Sequence, residues 1–268
     1  MLYFLLYQFL YKKIPFLRKF LSHRCFLPSK SVICDGPGFK IRIRSPRTSV
    51  IGRSLLFSKI WEPEVTSVVL QKIQKGWHVL DVGADIGYYS LLFVTKVGSL
   101  GRVAAFEPDP EPWEILNDNV AKFKNISTYH FALSDYFGYG VMKKANRGQL
   151  FPDKKQSDDS SSTVKMVPLN DFFSKIGWNR LDLVKIDTEG AELSILKGMD
   201  KILEKYHPHI LLEIHPRQLK QVFSSSAEQV MSFLTKKYPY CLTPIDRNTL
   251  DIPANGNITV WGDWQEKT

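Results

Sequence analysis

Two glycines and two carboxylates lie close together in the stretch VLDVGADIGYYS. Gly83 and Gly87 allow a tight turn and let a ligand approach the backbone closely. Their spacing differs from the dinucleotide fingerprint G-x-G-x-x-G, which would need glycine where Asp85 and Tyr88 stand. Asp81 and Asp85 would repel a pyrophosphate, but they suit a cationic ligand that carries no phosphate.

A further carboxylate, Glu107, follows the apolar stretch AAF, 24 residues after Gly83. At the end of a second strand, a carboxylate can accept hydrogen bonds from both ribose hydroxyls of an adenosine. Together these residues predict a site for S-adenosylmethionine, which carries a sulfonium and an ammonium group. The alternative without a functional role is an ordinary turn and a surface glutamate. A nicotinamide-dependent reductase is disfavoured because the third glycine of the dinucleotide fingerprint is missing and the loop is acidic.

Three carboxylates and an imidazole follow two later strands. Asp187 and Glu189 lie after one strand, and Glu213 and His215 end the next, where alternation places both on one side. Methyl transfer requires an acceptor oxygen held within about 3–3.5 Å of the methyl carbon and help in removing its proton. Asp187 is the predicted base or metal ligand, and the other three are predicted to position the acceptor. Clustered carboxylates could also hold Mg²⁺.

Two charged neighbours of this cluster have ordinary interpretations. Lys185 is expected to pair with a carboxylate, since structural ion pairs are common. Glu192 is expected to cap its helix or to face solvent.

Strands alternate with helices along most of the chain. Strands are predicted at 77–82, 102–106, 126–131, 164–167, 181–186, 210–214, 240–245 and 257–261, and helices at 62–73, 88–97, 110–123, from 169, 191–196 and 227–237. This order predicts an α/β fold with a doubly wound, mostly parallel sheet and helices on both faces. Residues 39–51 alternate as a half-exposed hairpin would, and the polar residues 145–163 are predicted to be a mobile loop.

The net charge of +9 is unevenly distributed. Residues 1–60 hold twelve Lys or Arg and one acidic residue, giving +11, whereas the rest holds 24 basic and 26 acidic residues, giving −2. Because a nucleic-acid enzyme more often carries positive charge around its cleft, no nucleic-acid partner is expected. We predict a basic extension over 1–60 and a catalytic domain over 61–268.

The apolar and aromatic start of the chain is followed by several Lys and Arg. Its run of about ten apolar residues is too short to span a bilayer. Residues 1–24 are therefore predicted to be a helix that either lies on an anionic membrane or packs on the domain or a partner. Three cysteines without paired spacing indicate free thiols, so we expect the protein in the cytoplasm, with contact at a membrane surface as an option.

The chain resembles class I S-adenosylmethionine-dependent methyltransferases, and in particular the FkbM family. The resemblance covers about residues 62–216 and rests on the stretches VLDVGADIGYYSLL, GRVAAFEPDP, FALSD, LDLVKIDTEGAELSILKG and ILLEIHP. It implies a seven-stranded sheet and methylation, mostly of oxygen, on sugars, glycolipids or natural products.

The resemblance also implies residue roles. The residues expected to contact the cofactor are Asp81, Gly83, Ala84, Asp85, Gly87 and Tyr88 in the first turn, Glu107 and Pro108 at the ribose, Leu133, Ser134 and Asp135 around the adenine, and Asp187. Asp85 departs from the family, which more often has asparagine there, and this nearly isosteric exchange should preserve binding.

The sequence thus predicts O-methylation of a hydroxyl on a saccharide, glycolipid or related small molecule. Methylation of a nitrogen or protein acceptor, and a non-catalytic binding protein on the same fold, stay open as alternatives. The acceptor, the atom methylated, metal dependence and the oligomeric state are not fixed by the sequence.

Overall fold

The computed structural model describes residues 28–46, 48–143, 149–152, 161–252 and 256–266. The predicted helix over 1–24 lies outside these residues, as does most of the predicted loop over 145–163. Across the described part of the chain, no helix has both the length and the apolar character that crossing a membrane would need.

A seven-stranded sheet forms the centre of the molecule. Its strands in spatial order are β5 (Ile126–Tyr129), β4 (Arg102–Phe106), β3 (His78–Val82), β10 (Leu183–Ile186), β11 (His209–Ile214), β13 (Ile258–Trp264) and β12 (Tyr240–Pro244). Neighbours from β5 to β11 are parallel, whereas β13 runs antiparallel to both β11 and β12. The predicted mostly parallel, seven-stranded sheet is confirmed.

Helices cover both faces of this sheet. Those of the described residues are α1 (Val50–Ser58), α2 (Pro63–Lys72), α3 (Tyr88–Val97), α4 (Pro110–Val120), α5 (Leu169–Ile176), α6 (Glu192–Gly198), α7 (Asp200–Tyr206), α8 (Pro216–Val222) and α9 (Ala227–Ser232), which continues as a π-helical turn, Phe233–Lys237. Successive side chains of a strand point to opposite faces of the sheet, so two buried clusters form, one on each face. Val79 belongs to the cluster that includes Leu91 of α3, and Leu80 belongs to the cluster that includes Leu196 of α6.

Two smaller sheets complete the fold. One is the hairpin of β1 (Val32–Gly36) and β2 (Phe39–Ile43), and the other contains β6 (Ala132–Leu133), β7 (Gly138–Lys143), β8 (Leu150–Phe151) and β9 (Ser161–Val167). The prediction of a hairpin over 39–51 was wrong in its bounds, because only β2 falls in that range. Ser49 ends the extended chain there, since its hydroxyl accepts a hydrogen bond from Gly52 N–H at 3.0 Å and caps α1.

The first described elements pack on the main core. Phe39, Ile41 and Leu55 belong to the same buried cluster as Val79 of the central sheet. The backbone N–H of Arg42 also donates a 2.7 Å hydrogen bond to Asn119 of α4. This packing carries the start of α1 to the carboxyl edge of the sheet.

Candidate active site

A cavity of about 520 Å³ opens at the carboxyl ends of β3, β4, β10 and β11. The chain winds outward in opposite directions from β3 and β10, so this edge contains the switch point where open α/β sheets bind ligands. A further wall of the cavity comes from the segment around α1 and α2, which contributes Ile51, Trp61 and Glu62.

The turn after β3 forms the floor of the cavity. The N–H groups of Gly83 and Ala84 both donate to the carbonyl of Phe106 at 3.0 Å, which binds the turn to β4. Gly83 has a φ of +79°, and a Cβ there would lie 1.8 Å from the carbonyl oxygen of Asp187. Only glycine allows the ends of β3 and β10 to approach so closely.

Glu107 is a buried carboxylate on the wall of the cavity. Its Oε2 accepts a hydrogen bond from Asp85 N–H and its Oε1 one from Asp109 N–H, each at 2.8 Å. Burial, with Asp85 nearby, raises the pKa of Glu107 to about 8. In its ionised form each oxygen keeps a free lone pair, so Glu107 can accept two further hydrogen bonds from a vicinal diol, and those bonds would favour the ionised form and lower the pKa again.

Asp85 donates this backbone hydrogen bond from the left-handed region, with a φ of +46°. Asp and Asn tolerate this conformation better than most other residues. The exchange of asparagine for aspartate at this position is therefore compatible with the turn.

The four predicted catalytic residues come together in the cavity. Nε2 of His215 lies 3.7 Å from an oxygen of Asp187, 3.7 Å from one of Glu189 and 3.6 Å from one of Glu213. Glu213 also accepts a 2.7 Å hydrogen bond from Asn257. Burial and the charge of Asp187 raise the pKa of Glu213 to about 7.

Glu192 lies behind His215, and the expectation that it faces solvent was wrong. Its side chain is fully buried, and Oε1 lies 2.8 Å from Nδ1 of His215. The same oxygen accepts the N–H of Gly190 at 2.9 Å. Burial alone would lower the pKa of His215, but the bond to Glu192 and the surrounding carboxylates raise it to about 10.

Lys185 is the expected ion-pair partner, and it joins two carboxylates. Its ammonium lies 3.3 Å from Asp187 and 3.6 Å from Asp81, with the Tyr89 ring at 5.0 Å. Burial would lower the pKa of Lys185, yet the charges of Asp187 and Asp81 raise it above its ordinary value. Asp81 also accepts a 2.6 Å hydrogen bond from Ser90.

The structure separates the predicted site residues into two groups. Those that line the cavity are Gly83, Ala84, Asp85, Tyr88, Glu107, Pro108, Leu133, Asp187, Glu189, Glu213 and His215. Those that do not line it are Asp81, Gly87, Ser134 and Asp135. Asp81 faces Lys185, and Gly87 starts α3. The Ser134 hydroxyl donates a hydrogen bond to the carbonyl of Tyr136, and the Asp135 carboxylate accepts one from the Ser194 hydroxyl.

Several cavity residues were missed from the sequence. Glu62, immediately before α2, has a φ of +43° and accepts a 2.6 Å hydrogen bond from the Tyr89 hydroxyl. Glu62 lines the same cavity as Asp187 and Glu213, and burial raises the pKa of its carboxyl. Its only local signal is the following Pro63, which is typical of a helix start and carries no information about a site.

Three of the predicted catalytic residues are close enough to share a metal ion. One ligand atom each from Asp187, Glu213 and His215 lie within 4.8 Å of one another. Mg²⁺ prefers oxygen ligands, whereas one of these three atoms is an imidazole nitrogen. In addition, Lys185 contacts Asp187 and Asn257 contacts Glu213. This donor set does not suit Mg²⁺.

Comparison with known proteins gives a consistent result. A family model described as the methyltransferase FkbM domain matches residues 81–240. The hexuronic acid methyltransferase AglP of Haloferax volcanii is 24% identical over 204 residues, which cover 76% of this chain and 82% of that protein. Methyltransferase sdnD of Sordaria araneosa is 26% identical over 157 residues, covering 46% and 60% of the two chains.

The fold also resembles a solved structure. A crystal structure of methyltransferase FkbM from Methylobacillus flagellatus superposes with a TM-score of 0.52 at 15% identity. The match covers 79% of this chain and 52% of that one.

Proposed function

Because this chain belongs to the FkbM family of S-adenosylmethionine-dependent methyltransferases, we propose that it methylates a hydroxyl oxygen on a saccharide, glycolipid or related small molecule. The observation that supports this most directly is the cluster of Asp187, Glu213 and His215 on the cavity wall. Acidic groups and an imidazole are suited to hold a hydroxyl and to remove its proton.

The residues of the first turn and of β4 fit the cofactor. Glu107 has the free lone pairs that two ribose hydroxyls need, and Leu133 supplies an apolar wall for the adenine. The backbone of Gly83 and Ala84 would border the methionine part. When bound, S-adenosylmethionine would supply a methyl group on a sulfonium, whose sulfur would leave as the neutral thioether of S-adenosylhomocysteine.

The acceptor must lose a proton as its oxygen attacks. Asp187 is the base predicted from the sequence, and Glu213 is its rival within the same cluster. Asp187 is already engaged by the ammonium of Lys185 at 3.3 Å, whereas Glu213 accepts a hydrogen bond from the neutral amide of Asn257, and its pKa of about 7 suits proton removal at neutral pH. His215 and Glu189 would orient the acceptor through hydrogen bonds.

The acceptor class is inferred from the chemistry of the cavity. Several carboxylates beside one indole, Trp61, resemble the mixture of polar groups and an aromatic face that suits a sugar. The relative from Haloferax volcanii is named for a hexuronic acid, which is also a sugar derivative. The side chains of Asp187, Glu213 and His215 would act without a metal ion, so turnover should be unchanged in EDTA.

The direct test uses S-adenosylmethionine labelled in its methyl group, with separate glycan, lipid and protein fractions as acceptors. Label is expected in an alkali-stable ether on a glycan or glycolipid. Label found only in protein, or only on nitrogen, would contradict the proposal. Binding of S-adenosylhomocysteine, measured in parallel, shows that the enzyme is folded.

A further inference from the structure

Glu62 is a carboxylate on the cavity wall to which the proposed proton transfer assigns no role. Its Oε2 accepts a 2.6 Å hydrogen bond from the hydroxyl of Tyr89, and among the described residues it has no ion-pair partner. A carboxylate removed from water is stabilised poorly by a single neutral donor, so burial raises the pKa of Glu62. The cavity thus contains a carboxylate that no cation of the described protein balances.

The cations of the described cavity wall are already paired with other carboxylates. Those pairs are Lys185 with Asp187 at 3.3 Å, His215 with Glu192 at 2.8 Å and Arg44 with Glu111 at 3.0 Å. The carboxylates that line the cavity are Glu62, Asp85, Glu107, Asp187, Glu189 and Glu213. The wall therefore carries an excess of negative charge, and a ligand that brings a cation is favoured.

The backbone at Glu62 is strained, although helix α2 does not need this side chain. Glu62 has a φ of +43°, in the left-handed region that glycine, asparagine and aspartate adopt more readily than glutamate. Its carbonyl accepts the N–H of Thr66 at 2.8 Å, which any residue could do, and its side chain caps no helix N–H. Strained backbone of this kind is concentrated at ligand sites, where the surrounding structure holds it. A ligand therefore explains this glutamate better than the helix does.

Glu62 and Glu107 lie toward different ends of the cavity. The charged groups that shift the pKa of Glu62 are in or just after β10 and β11, whereas those that shift the pKa of Glu107 follow β3 and β4. Strands β4 and β10 flank β3 on opposite sides. Because Glu107 fits the ribose, the amino-acid part of the cofactor would extend from it over Gly83 and Ala84, toward β10. Tyr89, which holds Glu62, is in the first turn of α3, directly after this glycine-containing turn.

We propose that Glu62 pairs with the ammonium group of the cofactor, so that this carboxylate gains its cation only when S-adenosylmethionine or S-adenosylhomocysteine is bound. The inference rests on the proposed function, which names the cofactor. Hydrogen bonds between a carboxylate and an ammonium group are among the stronger ones in proteins. An acceptor that carries an amino group would offer Glu62 the same chemistry, so the test separates the amino group of the cofactor from that of an acceptor.

Titration calorimetry on the full chain compares S-adenosylhomocysteine with an analogue in which hydrogen replaces the amino group. The parent protein is expected to bind S-adenosylhomocysteine more tightly than this deaminated analogue. Glu62→Gln should weaken binding of S-adenosylhomocysteine about thirtyfold, because a hydrogen bond between two charged groups is lost. The same variant should leave the affinity for the deaminated analogue unchanged, since that ligand has no ammonium for Glu62 to bind.

Glu64→Gln is the matched control, because Glu64 is an exposed carboxylate in the first turn of the same helix, α2. It should bind both ligands as the parent does. Glu62→Gly, whose backbone accepts a positive φ, should show the same selective loss as Glu62→Gln. Because Glu62 has no cation partner in the free protein, Glu62→Gln should not lower the urea concentration at which the free protein unfolds.

Equal losses for both ligands in Glu62→Gln, or parental affinity for both, would overturn the pairing. A raised KM for an acceptor in Glu62→Gln, with parental affinity for S-adenosylhomocysteine, would assign Glu62 to the acceptor instead. If the parent bound no S-adenosylhomocysteine at all, the proposed function would fail together with this inference. Methyl transfer by the parent, combined with unchanged discrimination between the two ligands in Glu62→Gln, would overturn this inference alone.

Discussion

Glu192 Oε1 lies 2.8 Å from Nδ1 of His215, and both side chains are buried. This contact fixes the ring so that Nε2 faces the oxygens of Asp187, Glu189 and Glu213. In the proposed reaction Glu192 would therefore be a positioning residue, which orients His215 toward an acceptor. The hydrogen bond and the charge of Glu192 are also the main reasons why the pKa of the buried His215 is raised, so that its imidazole stays protonated.

Replacing Glu192 by Gln should change how stability depends on pH. Folding raises the pKa of His215 from 6.5 to about 10, so the imidazolium stabilises the native state fully below pH 6.5. This contribution is lost as the pH rises through 10. Glu192→Gln should lower the free energy of unfolding by about 2 kcal/mol near pH 6 and flatten the loss between pH 7 and 10.

Urea unfolding at several pH values measures this effect. Glu204→Gln, an exposed carboxylate on α7, is the matched control and should leave the profile unchanged. A parallel shift of the whole curve in Glu192→Gln, without a change in its slope, would show that Glu192 does not control the charge of His215.

Glu107→Gln should weaken binding of S-adenosylhomocysteine about a hundredfold. The variant replaces a carboxylate that can accept two ribose hydroxyls, and hydrogen bonds to charged groups are worth about 1.5–3 kcal/mol each. Calorimetric titration measures the affinity. Asp135→Asn is the control, because Asp135 does not line the cavity, and it should bind as the parent does. Equal affinities for all three proteins would remove Glu107 from the cofactor site.

Asp187→Asn and Glu213→Gln together identify the base. Loss of the general base should lower kcat by about 10²–10⁴, with binding of S-adenosylhomocysteine retained. Glu189→Gln should have a smaller effect and act mainly on KM, because Glu189 is more exposed and already bonds to Gln218. Near-parental kcat in both Asp187→Asn and Glu213→Gln would show that the cluster does not remove the proton.

The pH dependence of kcat distinguishes Glu213 from Asp187. The pKa of Glu213 is raised to about 7, and a base must be ionised, so the rate should rise with pH through about 7 and then level off. Glu213→Gln should remove this rise along with most of the rate. An unchanged rise in the residual rate of Glu213→Gln would assign the titration to another group.

Regular elements were predictable because their patterns are local. The predicted helix over 88–97 and strand over 102–106 agree with α3 and β4. The mostly parallel sheet followed from strand–helix alternation, and its number of strands, seven, from the family resemblance. In contrast, α1 was missed because the apolar alternation of β2 was interpreted as continuing beyond Ile43. The structure instead begins a helix at Val50, capped by Ser49.

Contacts between distant elements could not be read from the sequence. Glu192 has the local pattern of an exposed helix residue, and its burial depends on His215 from the following strand. Asp81 lies in a glycine-containing turn motif, yet its fully buried side chain pairs with Lys185 and does not line the cavity. In both residues the deciding interaction is a buried charge pair, which no spacing rule encodes.

Lys185→Met should destabilise the protein by about 3–5 kcal/mol, because it leaves buried Asp81 without a cation. Removing that carboxylate as well should restore part of the loss, so the double variant with Asp81→Asn should unfold at a higher urea concentration than Lys185→Met. Lys72→Met is the control, since Lys72 pairs with Asp263 at 3.5 Å while 45% exposed, and it should cost less than about 1 kcal/mol. If the double variant were no more stable than Lys185→Met, the ammonium would stabilise the fold through Asp187 and the Gly83 carbonyl, which it also approaches at 3.4 Å, and not through Asp81.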